Sequence, residues 1–283
     1  MTSESSALEL RGVTRAFGGH RAVDDVSFRV EPGTITGLIG PNGAGKTTVF
    51  NLIAGALRPS AGRIALGGRR LDGRPPHLVL RAGVARTFQI PRPFAAMTVL
   101  ENVMLAGQDQ VGECFWTNWL RPAAVAAGER ALRGRARELV EFVGLGPLVG
   151  APARVLSGGQ RKLLEIARAL MTAPRLLLLD EPAAGVNPTL METIAERIVA
   201  LNRTGVTVLL IEHRLELVMR LCRPVLVMAG GRLLAEGDPD TVRADPRVIE
   251  AYVGVGPRHG PPHPPAAQGA PAEPWRPSGS VGV

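Results

Sequence analysis

One stretch, TGLIGPNGAGKTTVF, constrains the fold of this chain more than any other. An apolar segment at residues 34–39 leads into GPNGAGKT, which runs from Gly40 to Thr47 and fits the phosphate-binding pattern G-x-x-x-x-G-K-[ST]. Its glycines let backbone N–H groups approach phosphate oxygens, and a helix that begins near Lys46 adds its positive N-terminal end. The sequence therefore predicts a strand, a phosphate-binding loop and a helix in this order.

The loop also supplies the side chains that a nucleoside triphosphate requires. Lys46 is expected to reach the β- and γ-phosphates, and Thr47 to place its hydroxyl on Mg²⁺. Thr48 is a further candidate phosphate contact. The predicted nucleotide-binding residues of this segment are Gly40, Pro41, Asn42, Gly43, Ala44, Gly45, Lys46, Thr47 and Thr48.

A second stretch, LLLLDEPAAGVNP, places Asp180 and Glu181 directly after four leucines. In a parallel sheet, ligands lie beyond the carboxyl ends of the strands. Asp180 is therefore expected to approach the same Mg²⁺ as Thr47, while Glu181 orients or deprotonates an attacking water. The alternative is that the two acids only open a surface turn before Pro182.

A third stretch, LSGGQRKLLEIARAL, predicts another anion site at the start of a helix. Its apolar residues recur at helical spacing, so Ser157, Gly158, Gly159 and Gln160 lie at the helix N-terminus. A simple helix cap is the alternative interpretation. A second anion site needs an explanation, because one nucleotide already has its phosphate loop.

Short apolar runs that alternate with helical patterns predict an α/β fold. The runs are continuous, which favours a mostly parallel sheet covered on both faces. Residues 92–172 are expected to form a helical subdomain, inserted into a core of residues 1–91 and 173–253. The Pro- and Gly-rich residues 254–283 predict a disordered tail. The candidate strands are residues 8–13, 26–30, 34–39, 176–180, 206–212 and 224–229.

The bulk composition excludes several classes of protein. The chain has a net charge of +8, yet no basic cluster interleaves with aromatic residues, so no nucleic-acid partner is expected. Among 33 basic residues, Lys46 and Lys162 are the only lysines. Cys114 and Cys222 are far apart in the sequence, which fits a reducing compartment. Neither a secretory signal nor an apolar run of membrane-spanning length is evident.

These motifs resemble those of the ATP-binding cassette (ABC) family of transporter ATPases. Residues 40–47 are similar to its Walker A loop, residues 176–181 to its Walker B strand, and residues 156–160 match its LSGGQ signature. The resemblance covers about residues 8–252. It implies an ATP-hydrolysing fold of the P-loop type: a mostly parallel sheet, an ABC-type helical subdomain and an N-terminal antiparallel β region.

Three single residues extend the resemblance. Gln89 in RTFQ is similar to the Q-loop glutamine, which implies a role at the metal and the catalytic water. His213 in LLIEHRLELV is similar to the switch histidine, although an isolated strand-end histidine is more often structural. Phe17 aligns with the aromatic residue that stacks on adenine, although a purely structural aromatic residue is the alternative.

The resemblance also explains the second anion site. In this family two ATPase subunits pack head to tail, and each nucleotide lies between one phosphate loop and the partner's signature. Ser157 and Gly159 would thus bind the γ-phosphate held by a second ABC ATPase subunit, either a copy of this chain or a related one. Glu181, His213 and Gln89 are the expected catalytic residues, and Thr47, Gln89 and Asp180 the expected metal ligands.

Longer segments, including RTFQIPRPFAAMTVLENV, DEPAAGVNP and IEHRLELVM, resemble the branched-chain amino acid importer branch. This implies two transmembrane permease subunits, an extracytoplasmic solute-binding protein and a peripheral position on the cytoplasmic face of the membrane. Importers of urea and amides use similar ATPases, so the solute is left open. A non-transport cassette ATPase and a non-hydrolysing scaffold are the alternatives from other classes. The former commonly carries two cassettes, and the latter is expected to lack Glu181 or His213.

Overall fold

The computed structural model describes residues 7–88, 91–108 and 122–253. Its strands are β1 (Leu8–Phe17), β2 (His20–Val30), β3 (Ile35–Ile39), β4 (Ala61–Leu66), β5 (Arg69–Arg70), β6 (Val84–Arg86), β7 (Leu176–Asp180), β8 (Thr207–Ile211), β9 (Val225–Ala229) and β10 (Arg232–Gly237). Its helices are α1 (Lys46–Ile53), α2 (Pro76–Arg81), α3 (Val99–Met104), α4 (Pro122–Phe142), α5 (Gly158–Met171), α6 (Pro188–Arg203), α7 (Leu215–Leu221), α8 (Pro239–Ala244) and α9 (Pro246–Val253).

The larger of two sheets carries the site. Its strand order is β10-β9-β3-β8-β7-β6, and the pairings are parallel except for the antiparallel pair β10–β9. Strands β3, β7 and β8 therefore end at the same edge. Asp180 at the end of β7 lies in register with Ile211 at the end of β8. This edge collects the residues that follow three different strands.

The four leucines of β7 are buried on both faces of this sheet. Because successive side chains of a strand point to opposite faces, Leu177 and Leu179 join one hydrophobic core and Leu176 and Leu178 the other. All four are fully buried, at about 1.5–3 kcal/mol per apolar side chain. A continuous apolar run is thus the pattern that this central strand needs.

Different elements cover the two faces. One core includes residues of α4, α5 and α6, and the other includes residues of α1 and of a four-stranded antiparallel sheet of order β2-β1-β4-β5. Between β6 and β7, the described residues form α3, α4 and α5 with two short 3₁₀ turns, Gly146–Leu148 and Ala153–Val155. The predicted α/β class, with its mostly parallel sheet and antiparallel β region, is confirmed.

Several elements were not predicted from the sequence. Strands β5 and β6 are only two and three residues long, β4 has two buried residues, and β10 has none. Two predicted features, Gln89 and the tail at 254–283, lie outside the described residues. Among the helices that the structure describes, none has the length and apolar character needed to cross a bilayer.

Candidate functional site

The phosphate-binding loop lies between β3 and α1, and at two of its glycines any side chain would be strained. Gly40 has a φ of 148°, and a Cβ there would collide with the Met228 carbonyl. Gly45 has a φ of 97°, and a Cβ there would collide with the Ala22 carbonyl. Backbone conformation and close packing together fix the loop shape, and α1 begins directly after it at Lys46.

Lys46 is held inside this loop. Its side chain is buried, and its Nζ donates to the carbonyl oxygens of Gly40 at 2.7 Å and Pro41 at 2.9 Å. Burial lowers the pKa of Lys46, and the nearby carboxylates of Glu181 and Asp180 oppose this shift. The loop and the two acids that follow β7 therefore belong to one electrostatic site, as the sequence predicted.

Asp180 forms a buried ion pair that was not predicted. Its Oδ2 accepts a hydrogen bond of 2.8 Å from Nη2 of Arg86, whose Nη1 donates to Asn51 Oδ1 at 2.6 Å. The guanidinium also lies 5.7 Å from the Phe50 ring centroid. A buried carboxylate needs such a partner, and Arg86, as the last residue of β6, provides it.

A cavity of about 470 Å³ adjoins this ion pair. Thr47 and Asp180 both line it, so one residue with a hydroxyl and one with a carboxylate border the same space. These hard oxygen ligands are the type that Mg²⁺ prefers. The residues present therefore fit a magnesium ion. The other lining residues are Arg86, Phe88, Arg92, Glu165 and Arg168.

Glu181 lies next to His213 across the ends of β7 and β8. Oε1 of Glu181 is 2.8 Å from Nε2 of His213, and the Glu181 backbone N–H donates to the Ile211 carbonyl at 2.9 Å. The side chain of Glu181 is largely shielded from solvent, whereas that of His213 is half exposed. Glu181 has a φ of 50°, an unfavourable conformation for a non-glycine residue.

Two further residues of this edge were missed by sequence reasoning. Lys162 Nζ donates to the backbone carbonyl of Glu181 at 2.7 Å. Glu212 is buried, and its carboxylate accepts hydrogen bonds from the N–H of Ala183 at 2.7 Å and of His213 at 3.2 Å. The rarity of lysine in this chain was the one available signal for Lys162.

The predicted second anion site lies at the start of α5. Ser157 is exposed and caps the helix, because its Oγ accepts from the Gln160 N–H at 3.2 Å and its N–H donates to Gln160 Oε1 at 2.9 Å. Gly158 faces open space, whereas a Cβ at Gly159 would collide with Leu190. The hydrogen bonds of Ser157 are thus made within its own helix start, not to the phosphate loop.

The remaining predicted residues lie in different surroundings. Thr48 is half-buried within α1, and Asn42 and Gly43 are exposed on the loop. Phe17, at the end of β1, is 45% exposed, and the Arg15 guanidinium lies 4.7 Å from its ring centroid. The aromatic ring of Phe17 is therefore accessible for stacking, and the Arg15 guanidinium lies close to it.

Comparisons with known proteins agree with the motifs. The family model described as ABC transporter matches residues 23–184, and the model described as branched-chain amino acid ATP-binding cassette transporter matches residues 232–257. A probable branched-chain amino acid transport ATP-binding protein, LivG of Archaeoglobus fulgidus, is 40% identical over 88% of this chain and 95% of the relative. The high-affinity branched-chain amino acid transport ATP-binding protein BraF of Pseudomonas aeruginosa is 42% identical over 87% and 97%.

Solved structures show the same fold. The crystal structure of a nucleotide-free ATP-binding cassette from an ABC transporter has a TM-score of 0.76 and 37% identity, over 87% of this chain and 98% of the other. The ADP conformation of an ATP-binding cassette of an ABC transporter gives 0.75 and 36%, over 88% and 99%. The resemblance recognised from the motifs is confirmed. The chain belongs to the ABC transporter family, as an ATP-binding and ATP-hydrolysing subunit of the branched-chain amino acid branch.

Proposed function

We propose that this chain binds Mg-ATP at residues 40–48 and hydrolyses it to drive the import of branched-chain amino acids through separate membrane permeases. The observation that carries the catalytic part is the 2.8 Å contact between Glu181 and His213, at the same strand edge as Lys46. The relatives named as branched-chain amino acid transport proteins support the transport part.

In this proposal the phosphate loop holds the nucleotide and its metal. Lys46 exchanges its two loop carbonyls for β- and γ-phosphate oxygens, and the first N–H groups of α1 face the phosphates. Thr47 and Asp180 would hold Mg²⁺, with Gln89 as a further ligand. The bound metal would supply positive charge against the charge that develops on the transferred phosphoryl group. Phe17 stacks on the adenine, and its accessible ring supports this role.

Hydrolysis is assigned to Glu181 and His213. A water molecule attacks the γ-phosphorus, its proton passes to the Glu181 carboxylate, and the bond to the β–γ bridging oxygen breaks. ADP and inorganic phosphate leave. His213 orients the carboxylate through their direct contact, and Gln89 orients the water.

Each catalytic site requires two chains. Ser157 and Gly159, with Gly158 and Gln160, contact the γ-phosphate held by a second ABC ATPase subunit in a head-to-tail dimer. The exposed position of Ser157 supports this role. The dimer lies on the cytoplasmic face of the membrane against two permeases, and an extracytoplasmic solute-binding protein delivers the solute to them.

Co-purification followed by transport tests the proposal. The full-length chain, tagged and isolated from detergent-treated membranes, is expected to carry two multi-spanning permeases. Vesicles with the assembled complex are expected to accumulate leucine, isoleucine or valine only with ATP. The Lys46→Ala complex, which keeps its subunits, is the matched control and should not transport. Co-purification with ribosomes, or ATP-driven uptake of urea alone, would contradict the proposal.

A further inference from the structure

The structure brings two charged residues, Lys162 and Glu212, to the backbone around Glu181 and His213. Lys162 is on α5, one and a half turns after Ser157, and Glu212 directly follows β8. Lys162 is half-buried and Glu212 fully buried. Both side chains form hydrogen bonds with backbone groups at this edge.

Lys162 acts on the carbonyl of Glu181. Its Nζ donates to that oxygen at 2.7 Å, and the Ala184 N–H donates to the same oxygen at 3.2 Å. Because Glu181 has a φ of 50°, its peptide groups are turned away from the direction of β7. The ammonium group stabilises this turned carbonyl, and the backbone conformation in turn sets where the Glu181 carboxylate points.

Glu212 acts on the backbone of both residues' segments in the contact between Glu181 and His213. One carboxylate oxygen accepts from the Ala183 N–H at 2.7 Å, two residues after Glu181, and the other accepts from the His213 N–H at 3.2 Å. A single carboxylate thus ties the turn after β7 to the loop that carries His213. These two backbone segments carry Glu181 and His213, whose side chains meet at 2.8 Å.

The charges of these residues are compatible with one another. Burial lowers the pKa of Lys162, and the carboxylates of Glu212, Glu181 and Asp180 oppose that shift. The surrounding space is narrow, with Thr87, Phe88, Ile166 and Pro182 among its lining residues. A compact ammonium fits such a space better than a planar guanidinium. This agrees with the lysine found here, one of only two lysines in an arginine-rich chain.

We propose that Lys162 and Glu212 are positioning residues that hold Glu181 and His213 in the geometry needed for hydrolysis. Neither side chain touches the nucleotide in this proposal, which rests on the proposed role of Glu181. Removal of either residue is therefore expected to lower kcat with little change in nucleotide affinity.

The test compares the full-length Lys162→Met chain with Arg203→Met, which removes a basic residue from the exposed end of α6. Lys162→Met should lower kcat by about 10- to 100-fold, the effect of a misplaced reacting group, with KM for ATP and the Kd of a fluorescent ATP analogue within about 2-fold. Arg203→Met should leave all three values unchanged. Glu212→Gln, which cannot accept both N–H groups equally, should show the same kcat-specific loss if Lys162→Met does not fold.

A double variant separates positioning from a general loss of structure. In the Glu181→Gln chain the positioned group is already inactive, so adding Lys162→Met should lower the residual rate by less than about 2-fold. Wild-type kcat in both Lys162→Met and Glu212→Gln, or losses that multiply with Glu181→Gln, would overturn the positioning proposal alone. A wild-type rate for Glu181→Gln itself would instead show that the proposed role of Glu181 is wrong, and the positioning proposal would fall with it.

Discussion

The N-termini of α1 and α5 both lie in glycine-containing motifs, yet they are built in opposite ways. At α1 the N-cap residue is Gly45, and within the described part of the chain no side chain caps the helix. At α5 the side chains of Ser157 and Gln160 form a complete capping box. The first helix start therefore has no side-chain cap among the described residues, whereas at the second the Ser157 hydroxyl accepts a hydrogen bond from the N–H of Gln160.

The charged groups around the two helix starts also differ. The start of α1 lies beside the buried Lys46, with Asp180 and Glu181 near enough to influence its pKa. Ser157 is exposed at the surface and bonded only to its own helix in the contacts described above. The phosphate end, residues 40–48 at the start of α1, is thus preorganised within one chain. The signature end, residues 157–160 at the start of α5, is capped by its own side chains, and its proposed function depends on a second chain.

The largest effect is expected for Glu181→Gln. This variant separates ATP hydrolysis at the phosphate end from ATP-driven dimer formation at the signature end. The amide keeps the shape of the side chain but cannot accept a proton, so ATP hydrolysis should fall by about 10²–10⁴-fold. ATP should still bind and still produce dimers in size-exclusion chromatography. Phosphate release at the wild-type rate would remove Glu181 from its assigned role.

Asp180→Asn should weaken ATP binding at the phosphate end only when Mg²⁺ is present. The substitution removes the charge of the proposed metal ligand, which also pairs with Arg86, so the affinity for ATP with Mg²⁺ should fall by about 10- to 100-fold. Titration of a fluorescent ATP analogue measures this. In EDTA, the variant and the wild type should bind within a few-fold of each other. An equal loss with and without Mg²⁺ would argue against metal coordination by Asp180.

Adjacent glycines at the signature end provide a matched pair. A Cβ at Gly159 would collide with Leu190, so Gly159→Ala should lower the free energy of unfolding by about 1–3 kcal/mol. Gly158 faces open space, so Gly158→Ala should change it by less than about 0.5 kcal/mol. Urea denaturation checks both values. Equal stabilities would show that Gly159 is not needed for packing inside its own chain.

The smallest effect is expected at Phe17, where the nucleotide base is proposed to stack. Phe17→Ala removes the ring that Arg15 backs, and should weaken ATP binding by about 3- to 10-fold. Phe17→Tyr keeps the π-face and should bind within about 2-fold of wild type. Calorimetric titration of both variants measures the difference. Tight binding by Phe17→Ala would leave this ring with a structural role only.

The sequence predicted the parts of the site that lie in continuous motifs. The loop from Gly40 to Thr47 and the strand that ends at Asp180 combine a local pattern with a local structure, so their positions could be read directly. The partners Arg86 and Glu212 could not, because each acts across strands that are distant in the sequence. Their burial and their contacts are products of the sheet order. The domain boundaries and the role of Gln89 stay predictions.

The most direct measurement of the contrast between the two ends is a complementation assay. Lys46→Ala disables the phosphate end of a chain, and Ser157→Arg blocks its signature end. Each variant alone should be inactive, but an equimolar mixture forms mixed dimers with one intact composite site, so about a quarter of the wild-type ATPase rate should return. A Ser157→Arg chain that is fully active alone would contradict a site shared between two chains. So would a mixture that recovers no activity under conditions where the wild-type chain by itself forms active dimers.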